Sequence, residues 1–128
     1  MKPIIHNALV SLVAALAPIK PVMLTVGALI IADLISGIWA ARKRNEPITS
    51  AALGRTVSKM VVYQTAVVMG YMLQKHLLGD SVPIVNVVGG VIGIVEFKSF
   101  IENADCIVGG SIMKEILKKL SSSNDKSE

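Results

Sequence analysis

Residues 21–44, PVMLTVGALIIADLISGIWAARKR, decide the fold class. The stretch from Pro21 to Ala41 is long enough to cross a hydrocarbon core of ~30 Å, for which about 20 mainly apolar residues suffice. Pro21 suits a first helical turn, where its missing N–H costs nothing, and Trp39 lies near the other end, where an indole prefers the headgroup boundary. Arg42, Lys43 and Arg44 follow at once. Asp33 does not fit a simple lipid-facing helix. It lies about eight residues, or ~12 Å, before the basic end. A charge at that depth costs roughly 2.5–3.5 kcal/mol on insertion scales, so an intramembrane acid is expected to be buried among helices, paired or facing water.

The rest of the chain agrees with a lipid environment. It has 128 residues, 52% hydrophobic, 17% charged and 4% aromatic, with a mean hydropathy of +0.62. A single domain of this size cannot hide so much apolar surface in an aqueous core. The formal net charge of +4 is placed around apolar runs, not along a polar stripe with stacking side chains, so nucleic acid is excluded as a partner. Cys106 is the single cysteine, which rules out an intramolecular disulfide. The opening MKPIIHNALVSLVAALA imitates a signal peptide. His6, Asn7 and Ser11 interrupt its apolar run, so cleavage is not expected.

These features predict an all-α membrane protein with three transmembrane helices, at about 21–41, 55–78 and 83–101. An amphipathic helix over 4–17 precedes them, too short to cross, and Pro18 and Pro21 are expected to end it. A polar loop follows the first span, with Pro47 as breaker and Thr49 or Ser50 as cap. The third span reads as the weakest, because Asn86, Glu96 and Lys98 lie within it. After Gly109 and Gly110, Ile112, Met113, Ile116, Leu117 and Leu120 form an apolar stripe opposite Lys114, Glu115, Lys118 and Lys119. This predicts an amphipathic helix over 111–120, lying on the bilayer surface. Residues 1–120 thus form one integral-membrane domain and 121–128 a disordered polar tail.

Orientation follows from the positive-inside bias. Arg42, Lys43, Arg44 and Arg55 mark the first loop, and Lys114, Lys118, Lys119 and Lys126 mark the tail, whereas the 74–83 turn holds Lys75. Loop and C-terminus are expected in the cytoplasm and the N-terminus outside, in a bacterial inner membrane.

Lys59 enters the second span from the cytoplasmic side, and Glu96 nears the same level on the third. Asp33, Lys59 and Glu96 are therefore expected to form an intramembrane polar cluster. It either fixes helix packing or lines an opening between subunits; a protonated, merely tolerated Asp33 is the third possibility. Gly37, one turn beyond Asp33, and the pair Gly89 and Gly93 are candidates for close helix packing, within one subunit or between subunits. His6, His76 and Cys106 match no metal-ligand spacing. GGVIGIVEFKS lacks the spacing of a phosphate loop, and no nucleophile stands beside a base. No enzyme activity and no cofactor are expected.

DLISGIWAARKRNEPITS (33–50), GRTVSKMVVY (54–63) and EFKSFIENA (96–104) together resemble the phage lysis holins of the toxin-secretion/phage-lysis class, which includes holin-like proteins that release large clostridial toxins. The resemblance covers roughly residues 28–120. Its pieces fall on Asp33 and Gly37, on Arg42, Lys43, Arg44, Thr49 and Ser50, on Lys59, and on Glu102 and Asn103 at the end of the third span. It implies a protein that forms homo-oligomers in the inner membrane and opens lesions through which an endolysin or a toxin passes, with host cell lysis as the outcome. The paired start methionines of many holins are not seen, since the next methionine after Met1 is Met23. Two other functions fit the residues: a small multi-span transporter, which requires 4–17 to cross, and a structural subunit of a larger membrane assembly.

Overall fold

A computed structural model describes residues 1–124. The described residues form helices α1 (Lys2–Leu16), α2 (Lys20–Lys43), α3 (Ser50–Leu73), α4 (Ile84–Val108) and α5 (Ile112–Asn124), with no strand. A 3-10 turn, Ala17–Ile19, joins α1 to α2, and a π-helical turn, Gln74–Leu78, prolongs α3.

Two helical stretches are long and apolar enough to cross a membrane: the run Lys2–Lys43, 42 residues in all, and α4. Their most apolar windows are only 17% and 22% buried, unlike the core helix of a soluble protein. The expected order of strength is corrected here. The span that falls short is α3, not α4. Arg55, Thr56, Ser58, Lys59 and Gln64 crowd the first two-thirds of α3, whereas Glu96 of α4 is fully buried and Asn86 and Lys98 are exposed.

The break expected at Pro18 and Pro21 is also corrected. Pro18 enters the 3-10 turn and Pro21 the first turn of α2. Neither position needs the missing N–H, so the helical run continues. No residue of α1 is buried; Ile4, Leu9 and Val13 stand as open as His6 and Asn7. The third predicted span runs on to Val108, which places Glu102 and Asn103 inside α4. Similarly, α5 continues to Asn124, past the expected start of a polar tail at 121. Residues 125–128 of that tail lie outside the described residues.

Local chemistry sets the helix ends. Asn45, with φ 55°, closes α2 in the left-handed region. Its N–H bonds the Arg42 carbonyl at 3.2 Å and the Glu46 N–H bonds the Ala41 carbonyl at 2.9 Å, the double closure of a Schellman motif. Thr49 caps α3, its hydroxyl accepting from the Ala52 N–H at 3.2 Å. Gln74 Oε1 accepts from the Val85 N–H at 3.1 Å at the start of α4. Gly109, φ 66°, ends α4 with one bond to the Asp105 carbonyl, and Asp105 Oδ1 accepts from the Ile112 N–H at 2.6 Å to begin α5.

The main seam joins the parallel helices α2 and α4. On α2 it follows Val22, Val26, Leu29, Asp33, Ser36 and Ala40; on α4 it follows Gly89, Gly93, Glu96, Phe100, Asn103 and Ile107. Both ladders alternate steps of four and three, the repeat that keeps one helix face on its neighbour. A Cβ on Gly89 would lie 2.8 Å from Val22 Cγ1, and one on Gly93 would lie 3.6 Å from Leu29 Cδ1. Gly89 thus lets the two helices approach closely within one chain, while the distance at Gly93 is an ordinary contact. Antiparallel α3 lies against both. Its Val67 joins Ile19, Val26, Ile30, Val85 and Ile92 in an apolar core at the end of the bundle away from the 44–49 loop. Outward, Leu24, Ile31, Ile35, Val57, Val61, Met69, Val91 and Ile94 are all at least half exposed. Apolar groups point out while Ser36 and Glu96 point in, the arrangement suited to lipid.

Candidate functional site

The polar cluster is assembled by one residue from each long helix. Lys59 Nζ lies 3.1 Å from Asp33 Oδ2 and 3.1 Å from Glu96 Oε2. Exposure falls steeply across the three: the side chains of Lys59, Asp33 and Glu96 are 33%, 15% and 0% accessible. One ammonium therefore serves two carboxylates, and it reaches the buried one from the wetter side. Glu96 Oε1 is buried without a hydrogen-bond partner, although Tyr63, one turn beyond Lys59, stands beside Glu96. Such an atom costs roughly 1–3 kcal/mol, so the cluster is held by its packing rather than being a minimum of its own.

Asn103 ties the cluster to the α2–α4 seam. Its Nδ2 donates to Asp33 Oδ1 at 3.1 Å and to Ser36 Oγ at 3.1 Å, and Ser36 donates to the Asp33 carbonyl at 3.0 Å. Gly37 packs beside this amide: a Cβ there would lie in ordinary contact with Asn103 Nδ2, at 3.5 Å. Ser36 is the member that sequence reasoning missed. Its signal was its place three residues after Asp33, on the same helical face.

A cleft of about 400 Å³ opens above the cluster, bounded by the 44–49 loop, α2, α3 and α4, with Asp33 and Lys59 at its inner end. At its rim Arg44 Nη2 pairs with Glu46 Oε2 at 2.9 Å, and Arg44 Nη1 lies 3.4 Å from Cys106 Sγ. The Glu46 hydrogen bond foremost, then Cys106, raises the Arg44 pKa, and the same bond holds the Glu46 carboxyl below the usual glutamate value. Lys43 donates to the Ile107 carbonyl, fastening the basic end of α2 to α4.

The other sequence candidates scatter. Arg42 is exposed on the far side of α2, beside Trp39 and Ile35. Arg55 is exposed and lines the cleft. Glu102 is 60% accessible and pairs with Lys98 at 3.6 Å, one turn away on the same helix, so it lies outside the cluster while its neighbour Asn103 lies within it. Gly89 and Gly93 face α2 of the same chain. Among the described residues no group of His, Cys, Asp and Glu is arranged to hold a metal ion.

No curated protein and no solved structure matches this chain. A family model described as the bacteriophage holin family matches residues 11–124, which takes in all three long helices, the basic loop and α5. That family is non-enzymatic. The chain belongs to the bacteriophage holin family.

Proposed function

We propose that this protein is the membrane-permeabilising component of a lysis system. Helices α2, α3 and α4 cross the bacterial inner membrane, with the 44–49 loop and the C-terminus in the cytoplasm and α1 leading to an outside N-terminus. Copies then associate into homo-oligomers that open lesions, and an endolysin or a toxin passes through. The single observation that carries the reading is the Asp33, Lys59 and Glu96 cluster: three ionisable side chains turned inward in a bundle whose outer faces are apolar.

Counting α3 as a span rests on that cluster. The helix is 24 residues long, about 36 Å, and two of its polar groups reach partners on the other long helices: Lys59 the two acids, and Gln64 Nε2 the Met23 carbonyl, 2.9 Å away. The exposed apolar side chains of α3 include Val57, Val61, Val62, Met69 and Met72, with Arg55 and Ser58 exposed toward the loop end of the helix. Helix α1, with apolar side chains open all round, needs lipid or another copy to cover it. Opening would separate Lys59 from one carboxylate and turn charged groups toward the lumen, so the cluster sets the threshold for the transition.

The test is induced expression alone and with an endolysin that lacks a secretion signal, followed by a potential-sensitive dye and culture turbidity. An abrupt loss of potential followed by endolysin-dependent lysis is expected. Cells that stay polarised at full expression would refute the proposal.

A further inference from the structure

We infer that the cleft above the cluster binds the phosphate of an anionic phospholipid from the cytoplasmic leaflet, with Arg55 as the principal ligand. This rests on the reading that α3 lies in the membrane with the basic loop at its surface. The cleft, about 400 Å³, is lined by the cations Arg44, Arg55 and Lys59 and by the carboxylates of Asp33 and Glu46. Two of the cations are already engaged, Arg44 by Glu46 at 2.9 Å and Lys59 by Asp33 and Glu96 at 3.1 Å each. Arg55 has neither a hydrogen bond nor an ion pair among the described residues. A guanidinium presents a planar fork of donors that matches the oxygens of a phosphate bidentately.

Depth selects a lipid as the source of that phosphate. Arg55 is five residues, ~7.5 Å, beyond Ser50 at the start of α3. The headgroup layer is about 5–8 Å thick on each side of the hydrocarbon core, so Arg55 sits at its inner boundary. The cleft wall is also two-sided in chemistry. Ser99, half-buried on α4 and without a hydrogen bond among the described residues, offers a second donor in the same cleft. Ile38 and Leu53 line the same space with apolar surface against which the upper part of an acyl chain fits. A soluble anion would use the first feature and leave the second wet.

A bound phosphate at Arg55 would lie one helical turn from Lys59, close enough to compete with Asp33 and Glu96 for that ammonium. Lipid occupancy is thereby coupled to the same cluster that holds the helices together.

The experiment is native mass spectrometry of the full chain in a neutral detergent, with phosphatidylglycerol or phosphatidylcholine added at equal amounts, and with inorganic phosphate as competitor. The expected result is one phosphatidylglycerol retained per chain, with phosphatidylcholine retained severalfold less, because its choline cation offsets the charge of the phosphate that both lipids carry. Arg55→Gln should lower phosphatidylglycerol retention about tenfold and Arg55→Lys by less, with helical content by circular dichroism unchanged in both. Arg42→Gln, which removes a charge from the same surface outside the cleft, should retain lipid as the parent does. Equal retention of the two lipids, equal loss in Arg42→Gln, or displacement by millimolar inorganic phosphate would each overturn the inference. The readout needs no lysis, so a chain that lyses cells without retaining the lipid overturns this inference alone, and a chain that retains it without lysing cells overturns only the proposed function.

Discussion

Removing the Lys59 ammonium is the perturbation whose outcome the geometry constrains most tightly. In Lys59→Gln, Asp33 and Glu96 lose the cation that both of them face at 3.1 Å. Glu96 is affected most, because its side chain is wholly inaccessible and its second oxygen already lacks a partner. Breaking a buried pair by deleting one member costs about 3–5 kcal/mol. Lys59 keeps a third of its side chain accessible, which screens part of the interaction and places the expectation at the low end, about 3 kcal/mol. That is about two orders of magnitude in the folding equilibrium. Glu96→Gln removes the surplus negative charge and leaves the Asp33–Lys59 pair intact, so it should cost about 1 kcal/mol or less. The triple variant Asp33→Asn, Lys59→Gln, Glu96→Gln should recover most of the loss, because an uncharged set needs no ion desolvation. Reversible unfolding in mixed micelles, followed by circular dichroism, measures all three. Should Lys59→Gln prove as stable as the parent to within about 0.5 kcal/mol, the margin of ordinary surface changes, the cluster contributes nothing to the bundle and the reasoning fails.

Other expectations follow from particular contacts. Gly89→Ala should destabilise by about 1–2 kcal/mol, because its Cβ would meet Val22 Cγ1 at 2.8 Å. Val22→Ala in the same chain should restore part of the loss, and Gly90→Ala, which meets nothing within 4 Å, should cost little; the same unfolding assay checks all of these. Thr49→Ala removes the cap on the Ala52 N–H and should cost about 1 kcal/mol, while Thr49→Asp should retain most of it. In a chemical-shift titration in micelles, Glu46 should titrate below the usual glutamate range, and Arg44→Gln should return it to normal. Because its folded-state pKa is the lower one, whatever this pair contributes is present above the unfolded value and disappears as pH falls through the folded value. Asp33→Asn should change the onset of lysis while leaving membrane insertion intact, measured by turbidity and membrane fractionation. Unchanged timing would restrict Asp33 to packing.

Much of the architecture is legible in the sequence because the relevant penalties are large. An acid within PVMLTVGALIIADLISGIWAA is too costly to leave facing lipid, so Asp33 points inward before any coordinates are considered, and Lys59 and Glu96 fall near its level by counting residues. The caps at Thr49 and Gly109 are likewise local chemistry. What eludes a linear reading depends on neighbours. Glu96 weakens α4 in any average of hydropathy, yet it is fully buried, whereas the polar groups of α3 weigh against that helix until their partners on α2 and α4 are known. Pro18 and Pro21 read as stops because a proline ends one helix as readily as it begins the next. Asn103 reads only as part of a family motif at the end of the third span. Its role beside Asp33 and Ser36 depends on how far α4 continues and on its register against α2.

The central claim is that α3 crosses the bilayer and so delivers Lys59 to two carboxylates inside it. Cysteine accessibility in intact cells tests this most directly, using Asp80→Cys in the turn after α3 and Asn45→Cys in the basic loop, each in a Cys106→Ser chain. The account predicts that a membrane-impermeant maleimide labels position 80 from outside and reaches position 45 only after the membrane is opened. Labelling of both positions from the same side would contradict it.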